Sequence, residues 1–91
     1  MAALFPFEVH TPYRLFYSGM VETIVLTLLD GEAAVYANHA PFTAPVVSGI
    51  LRIKNDKGKW QSANITGGIL EVNAHKNSLM VDSAEWPKDG D

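Results

Sequence analysis

The sequence predicts an all-β domain in which two antiparallel sheets pack face to face. Three observations predict it. Turn residues recur about every 8–12 positions, the spacing of a sandwich or barrel. Between these breaks the residues alternate in polarity or favour β-branched and aromatic types. No window longer than about a turn or two carries an apolar i, i+3, i+4 stripe with caps, so no helix is expected. The 91 residues make one domain, spanning 1–91. A chain of this size buries only about 60–65% of the surface it exposes when unfolded.

The elements follow in order. Phe5, Phe7 and Val9 share one parity, with Glu8 and His10 on the other, and Pro12 ends this strand. Ser18-Gly19 marks the next break. In the stretch that follows, Met20, Ile24, Leu26 and Leu28 fall on one face. Glu22 interrupts that face, and Val21, Thr23, Val25 and Thr27 lie opposite. Asp30-Gly31, Asn38 to Pro41 and Ser48-Gly49 are further breaks. Ile50–Asn55 and Trp60–Ile65 flank Asp56-Lys57-Gly58 as a hairpin. Thr66-Gly67-Gly68 reads as a bulge or sharp strand entry that needs positive φ. Ile69–Asn73 and Ser78–Asp82 form another hairpin around His75, with Leu79 and Val81 pointing one way and Ser78, Met80 and Asp82 the other. The chain shows no internal repeat, linker or low-complexity segment.

Composition narrows the function. The net charge of −3 and scattered Lys and Arg residues argue against nucleic-acid binding, which needs a basic face. The absence of cysteine excludes disulfides, thiolate nucleophiles and cysteine-ligated zinc. No positive residue precedes Arg14, so the basic region of a secretory signal is missing. The sequon Asn64-Ile65-Thr66 is therefore expected to carry no glycan. The apolar runs Ile24–Leu26 and Leu28–Leu29 fall far short of the ~20 residues a spanning helix requires.

Residues 31–42 hold the densest chemistry: Glu32 and His39 with a proline between apolar segments, preceded by Asp30. Paired carboxylates and an imidazole can do acid–base work. A small hydrolase built on Asp30, Glu32 and His39 would still need a nucleophile. Ser48-Gly49 lies between Val46 and Ile50 and cannot form the Gly-x-Ser-x-Gly elbow. His10, His39 and His75 sit in separate segments without ligand spacing, so no metal site is expected. Gly67-Gly68 is not a phosphate loop, so no nucleotide cofactor is expected. Trp60 and Trp86, with Tyr13, Tyr17 and Tyr36, would be the material for a carbohydrate platform, and a free-standing β-sandwich binding module is the alternative reading. With no catalytic set, the expectation is a domain that contacts other proteins.

Five motifs in order carry a resemblance. They are Val21-Glu22, then Gly31-Glu32 leading to Asn38-His39-Ala40-Pro41, then Gly49-Ile50-Leu51-Arg52-Ile53, then Gly67-Gly68-Ile69-Leu70-Glu71-Val72, then Val81-Asp82-Ser83-Ala84. Their order and spacing resemble the N-terminal β-sandwich domain of the epsilon subunit of F-type ATP synthase, called delta in mitochondria. The resemblance runs from about Phe5 to Glu85. It implies a sandwich of about ten short strands and a non-catalytic place in the central stalk. There the subunit couples the gamma subunit to the membrane c-ring for proton-driven ATP synthesis, touching the catalytic alpha/beta head only indirectly. It implies a peripheral position on the cytoplasmic face of the bacterial plasma membrane. Residues matching the c-ring contact are Asp30, Gly31, Glu32 and Ala33. Those matching the gamma-facing surface are Thr11, His39 and Ala44.

The sequence departs from the family pattern at several places. Ala33-Ala34 stands where a larger apolar residue and glycine are common, Ala37 replaces a proline, and Phe42 replaces a leucine. Leu28-Leu29 precedes the acidic turn where many members have small or polar residues, and reads either as core or as a patch covered in a complex. Many members continue into a two-helix hairpin. The six residues Trp86–Asp91 cannot build one, since an isolated helix is marginal below about 12–15 residues. The hairpin is expected to be absent from these residues, because the chain is either naturally short or a piece of a longer one; if it is naturally short, no inhibition of ATP hydrolysis that ATP relieves is expected.

Overall fold

A computed structural model describes residues 3–88. Among them are nine strands: β1 (Phe5–His10), β2 (Leu15–Leu28), β3 (Gly31–Tyr36), β4 (Phe42–Val46), β5 (Gly49–Asn55), β6 (Trp60–Ile65), β7 (Gly68–Val72), β8 (Asn77–Val81) and β9 (Ala84–Glu85). They form the expected sandwich. The first sheet runs β4-β7-β8-β1-β2 and the second β3-β2-β5-β6-β9. All neighbours are antiparallel except the parallel pair β1–β8.

β2 belongs to both sheets. Its first half pairs with β1, from Leu15 opposite His10 to Val21 opposite Phe5. Its second half lies between β3 and β5, and at its end Leu28 pairs with Val46 of β4. Counted once in each sheet, this strand gives ten strand segments, the number expected. The predicted break at Ser18-Gly19 is not there: the strand runs through it.

The predicted facing of β2 is also corrected. Met20 is 45% exposed, whereas Val21 and Thr23 are buried together with Ile24 and Leu26. The β2–β5 register shifts between Val21 and Thr23. An extra residue in one strand reverses which parity faces inward, so the buried positions switch here from odd at Val21 and Thr23 to even at Ile24 and Leu26. In β1 the alternation holds as read, with Phe5, Phe7 and Val9 buried.

The core draws on both sheets, with Phe7, Val9, Val21, Ile24, Leu26, Val35, Leu51, Ile53, Leu70 and Leu79 all under 2% exposed. Each such side chain contributes about 1.5–3 kcal/mol relative to leaving it in water. Turn chemistry closes the hairpins. In the β7–β8 turn Asn73 Oδ1 accepts from the backbone N–H groups of His75 (2.8 Å) and Lys76 (2.7 Å). Asn55 Oδ1 does the same for Lys57 and Lys59 between β5 and β6.

Gly67 and Gly68 serve a different need from the one predicted. Among the described glycines the positive φ values belong to Gly31 and Gly58. At Gly68 the constraint is close approach: an added Cβ would overlap the carbonyl oxygen of Met80 in the neighbouring strand β8. Gly68→Ala is therefore expected to cost about 2 kcal/mol or more, since backbone cannot yield cheaply, and to lower Tm by roughly 8 °C or more in a domain of this size. Gly49→Ala, with nothing within 4 Å of the new methyl, is expected to melt close to wild type. Thermal unfolding of the two variants checks the contrast.

Candidate functional site

The residues singled out in the sequence do not converge: four form one hairpin tip, and three border the first sheet at separate points. Asp30, Gly31, Glu32 and Ala33 form the tip of the β2–β3 hairpin in the second sheet. Leu28 pairs with Gly31, leaving Leu29 and Asp30 as the connection. Leu29 and Asp30 keep negative φ while Gly31 takes φ +130°, a conformation that disfavours any side chain. The leucine pair divides: Leu28 packs against the core, whereas Leu29 is 73% exposed beside Asp30. The tip thus presents one apolar and one acidic side chain to the outside.

Glu32 is engaged within the chain. Arg52 on β5 reaches across β2, and its Nη2 donates to Glu32 Oε2 at 3.2 Å. Twenty positions separate the partners, and only the β3-β2-β5 order brings them together. The sequence did not single out Arg52. The available signal was its parity, since it alternates with the buried Leu51 and Ile53 and so had to face outward with charge. Both groups are largely exposed, so the pair contributes about 0–1 kcal/mol.

Thr11, His39 and Ala44 border the first sheet. Thr11 opens the β1–β2 turn. Its Oγ1 accepts from the N–H groups of Tyr13 (3.3 Å) and Arg14 (3.2 Å) and donates to the Arg14 carbonyl (3.2 Å). A hydroxyl has one donor and two acceptor sites, so this one is fully used and only the methyl remains for a partner. His39 lies at the other end of β1, in a shallow groove lined also by Leu4, Phe5, Asn73 and Asn77. Its Nδ1–H donates to the Ala40 carbonyl at 2.9 Å, and its ring packs against Phe42 with centroids 5.0 Å apart. The preceding Asn38 makes the turn with φ 65°, a conformation Asn tolerates better than most residues. Ala44 sits in β4 opposite the buried Leu70, so its side chain faces inward and is half-buried, while its neighbours Thr43 and Pro45 point out.

This arrangement separates the groups the hydrolase reading needs together. Asp30 and His39 lie beyond opposite ends of β3, whose six residues span roughly 20 Å. Glu32 is paired with Arg52, and His39 with its neighbour's carbonyl. The three histidines occupy β1, the β3–β4 loop and the β7–β8 turn. Among the described residues no three His, Asp or Glu side chains converge.

The aromatic residues are dispersed as well. Trp86 stacks on Phe16 (4.6 Å, 26°) and meets Tyr17 edge-on at 6.1 Å. Phe7 lies 6.3 Å from Tyr17 on the other side. This cluster ties the segment after β9 to the start of β2. Trp60 stands apart, opposite Lys54 near the β5–β6 tip. Burial, and secondarily the negative charge of Asp56, raise the Tyr17 phenol above its ordinary value of 10.0.

Two predictions follow from these contacts. Arg52→Ala changes stability by less than about 1 kcal/mol in urea denaturation, because the ion pair is exposed. For Tyr17 the folded state favours the neutral phenol. Its contribution is therefore fully present below pH 10.0 and is lost as pH rises through the higher folded value. Denaturation midpoints at about pH 9 and pH 11 should fall more for wild type than for Tyr17→Phe, which has no proton to lose there.

Comparison with known proteins places this geometry in context. The family model described as "ATP synthase, Delta/Epsilon chain, beta-sandwich domain" matches residues 4–87. The ATP synthase epsilon chain of Caldicellulosiruptor bescii is 47% identical over 89 residues, covering 98% of this chain and 64% of that protein. The epsilon chain of Caldanaerobacter subterraneus is 41% identical over 92 residues and covers 100% of this chain and 66% of its own length. An epsilon chain from Acetobacterium woodii, named sodium ion specific, is 31% identical over 91 residues, 100% of this chain and 68% of its own. The chain thus spans about two thirds or slightly less of the relatives it matches. A chain in the mitochondrial ATP synthase structure of Euglena gracilis superposes with TM-score 0.88 at 22% identity, covering 100% of this chain and 58% of that one. At that identity the match speaks to the fold.

Proposed function

The chain belongs to the ATP synthase delta/epsilon chain β-sandwich family, and from that membership we propose that it is a non-catalytic part of the rotor's central stalk, tying a gamma subunit to the membrane c-ring. The observation that carries this reading is the double membership of β2. The gamma-facing positions Thr11, His39 and Ala44 border the first sheet, and the c-ring positions Asp30–Ala33 form a hairpin tip of the second. One continuous strand, hydrogen-bonded in both sheets, connects them. A twist applied to one sheet is thereby resisted by backbone hydrogen bonds and a shared core, which suits a coupling element.

At the c-ring end, Leu29 offers apolar contact while Asp30 and Glu32 supply negative charge for polar or basic groups on the ring loops. Arg52 holds Glu32 in place and partly neutralises it, so Asp30 carries the larger share of the unscreened charge. The catalytic head is reached only through gamma. The coupling ion is bound elsewhere in the assembly, and the same hairpin serves a proton- or sodium-driven ring. The working position is peripheral, at the membrane surface on the cytoplasmic side of a bacterial cell.

The test is reconstitution with the cognate gamma subunit and membrane sector. Wild type should co-purify with gamma and support ATP-driven ion pumping. The double variant Asp30→Lys, Glu32→Lys should retain gamma while pumping falls severalfold, because like charges now face basic ring groups. A folded wild-type protein that fails to bind gamma would count decisively against the reading. Unchanged pumping by the double variant would remove the hairpin from the c-ring contact.

A further inference from the structure

The two sheets meet unequally along their two sides. On one side Leu28 of β2 pairs with Val46 of β4, so backbone closes the sandwich. On the other side the edges are the first half of β2 and the short strand β9. Among the described residues no ladder joins them: the first half of β2 pairs with β1, and β9 pairs with β6. One side chain bridges this seam. Trp86, directly after β9, stacks on Phe16 of β2 with ring centroids 4.6 Å apart and meets Tyr17 edge-on. The Arg14 guanidinium stands 5.4 Å from the Phe16 ring centroid, a favourable cation–aromatic distance. Phe16 is buried under this cover, whereas Trp86 itself is 40% exposed.

The segment that carries Trp86 is firmly held at its start and weakly beyond it. The Thr66 N–H and hydroxyl donate to the Ser83 carbonyl at 3.1 and 3.3 Å, and the Ser83 N–H donates to the Thr66 hydroxyl at 3.0 Å. Past this pin, β9 has two residues and one neighbouring strand. Ala84 places only a methyl in the core, Glu85 is exposed, and Pro87 has no N–H to donate. A short edge element with few buried contacts belongs to the low-stability end of a structure. We propose that Trp86 is a latch: residues Ala84–Trp86 swing away about the Thr66–Ser83 pin while the rest of the sandwich stays folded, and the seat of Trp86 on Phe16 holds them shut. Shut, the latch covers Phe16 and closes the seam between the sheets. Open, it bares the Phe16 ring and unpairs part of the β6 edge, a template for another strand. The ladders of β2 to β1, β3 and β5 persist in both states, and the latch does not depend on the reading given under Proposed function.

Native-state hydrogen exchange of the full chain at low denaturant tests the latch. The Thr66 N–H bonds to Ser83, so the alternation of an antiparallel ladder puts the next bonded pair at Asn64 and Glu85. In wild type these two amides should open at lower free energy, and with weaker denaturant dependence, than the ladder amides of β2. Trp86→Ala should speed their exchange about a hundredfold, the scale expected for loss of a large, partly buried aromatic. Trp86→Phe keeps a ring on Phe16 and should stay within about tenfold of wild type. Val72→Ala, a core truncation in β7, should speed exchange in β2 and leave Asn64 and Glu85 as they were. The proposal is overturned if the wild-type Asn64 and Glu85 amides share the opening free energy and denaturant dependence of β2, a result that needs no variant to fold. It is equally overturned if Trp86→Ala leaves their exchange unchanged, if Trp86→Phe speeds it as much as Trp86→Ala, or if Val72→Ala speeds them together with β2.

Discussion

Everything in this sandwich depends on one strand being hydrogen-bonded in two sheets. In an ordinary sandwich the two layers are held by side-chain contacts across the core, and their relative angle is set by packing. Here the backbone of β2 passes from the β1 edge of one sheet into the middle of the other and ends against β4. The register shift at Val21–Thr23 makes this possible, because it lets buried side chains sit on the correct side of the strand before and after the crossing. Val21, Ile24 and Leu26 then become parts of one core although they lie on alternating parities.

The features legible in the sequence were local ones. The hairpins around Asp56-Gly58 and His75, and the break at Asp30-Gly31, came out within a residue or so, because turn residues and alternation act over a few positions. What escaped depended on distant parts of the chain. Ser18-Gly19 looks like a break, yet pairing with Glu8 and Phe7 keeps the strand extended there. Met20 was read as core because strict alternation was carried through the bulge. Gly67-Gly68 was read as a conformational requirement, whereas the need at Gly68 comes from the Met80 carbonyl in a neighbouring strand. The Glu32–Arg52 and Phe16–Trp86 contacts join residues 20 and 70 positions apart, and no local pattern announces either.

The candidate site changes character once the polar groups are followed to their partners. Glu32 and His39 looked available for chemistry as a list of residue types, and Thr11 offered a free hydroxyl for a contact. In the structure the Thr11 hydroxyl is saturated by its own turn, the His39 Nδ1–H is held by a carbonyl, and Glu32 is held by Arg52. Among the described residues no buried side-chain nitrogen or oxygen lacks a partner. What remains outward is shape, with exposed apolar side chains such as Ile69 and Met80 on one sheet and an apolar–acidic tip on the other, and the shared strand holds the two at a fixed separation.

Native-state hydrogen exchange along β2 tests that fixed separation most directly. If β2 makes the two sheets one mechanical unit, its hydrogen-bonded amides in both halves, Phe16–Val21 and Thr23–Leu28, exchange only through global unfolding and report one common opening free energy. If the first half exchanges through a smaller, separate opening while the second half stays protected, the sheets move independently, and the strand does not join them into one unit.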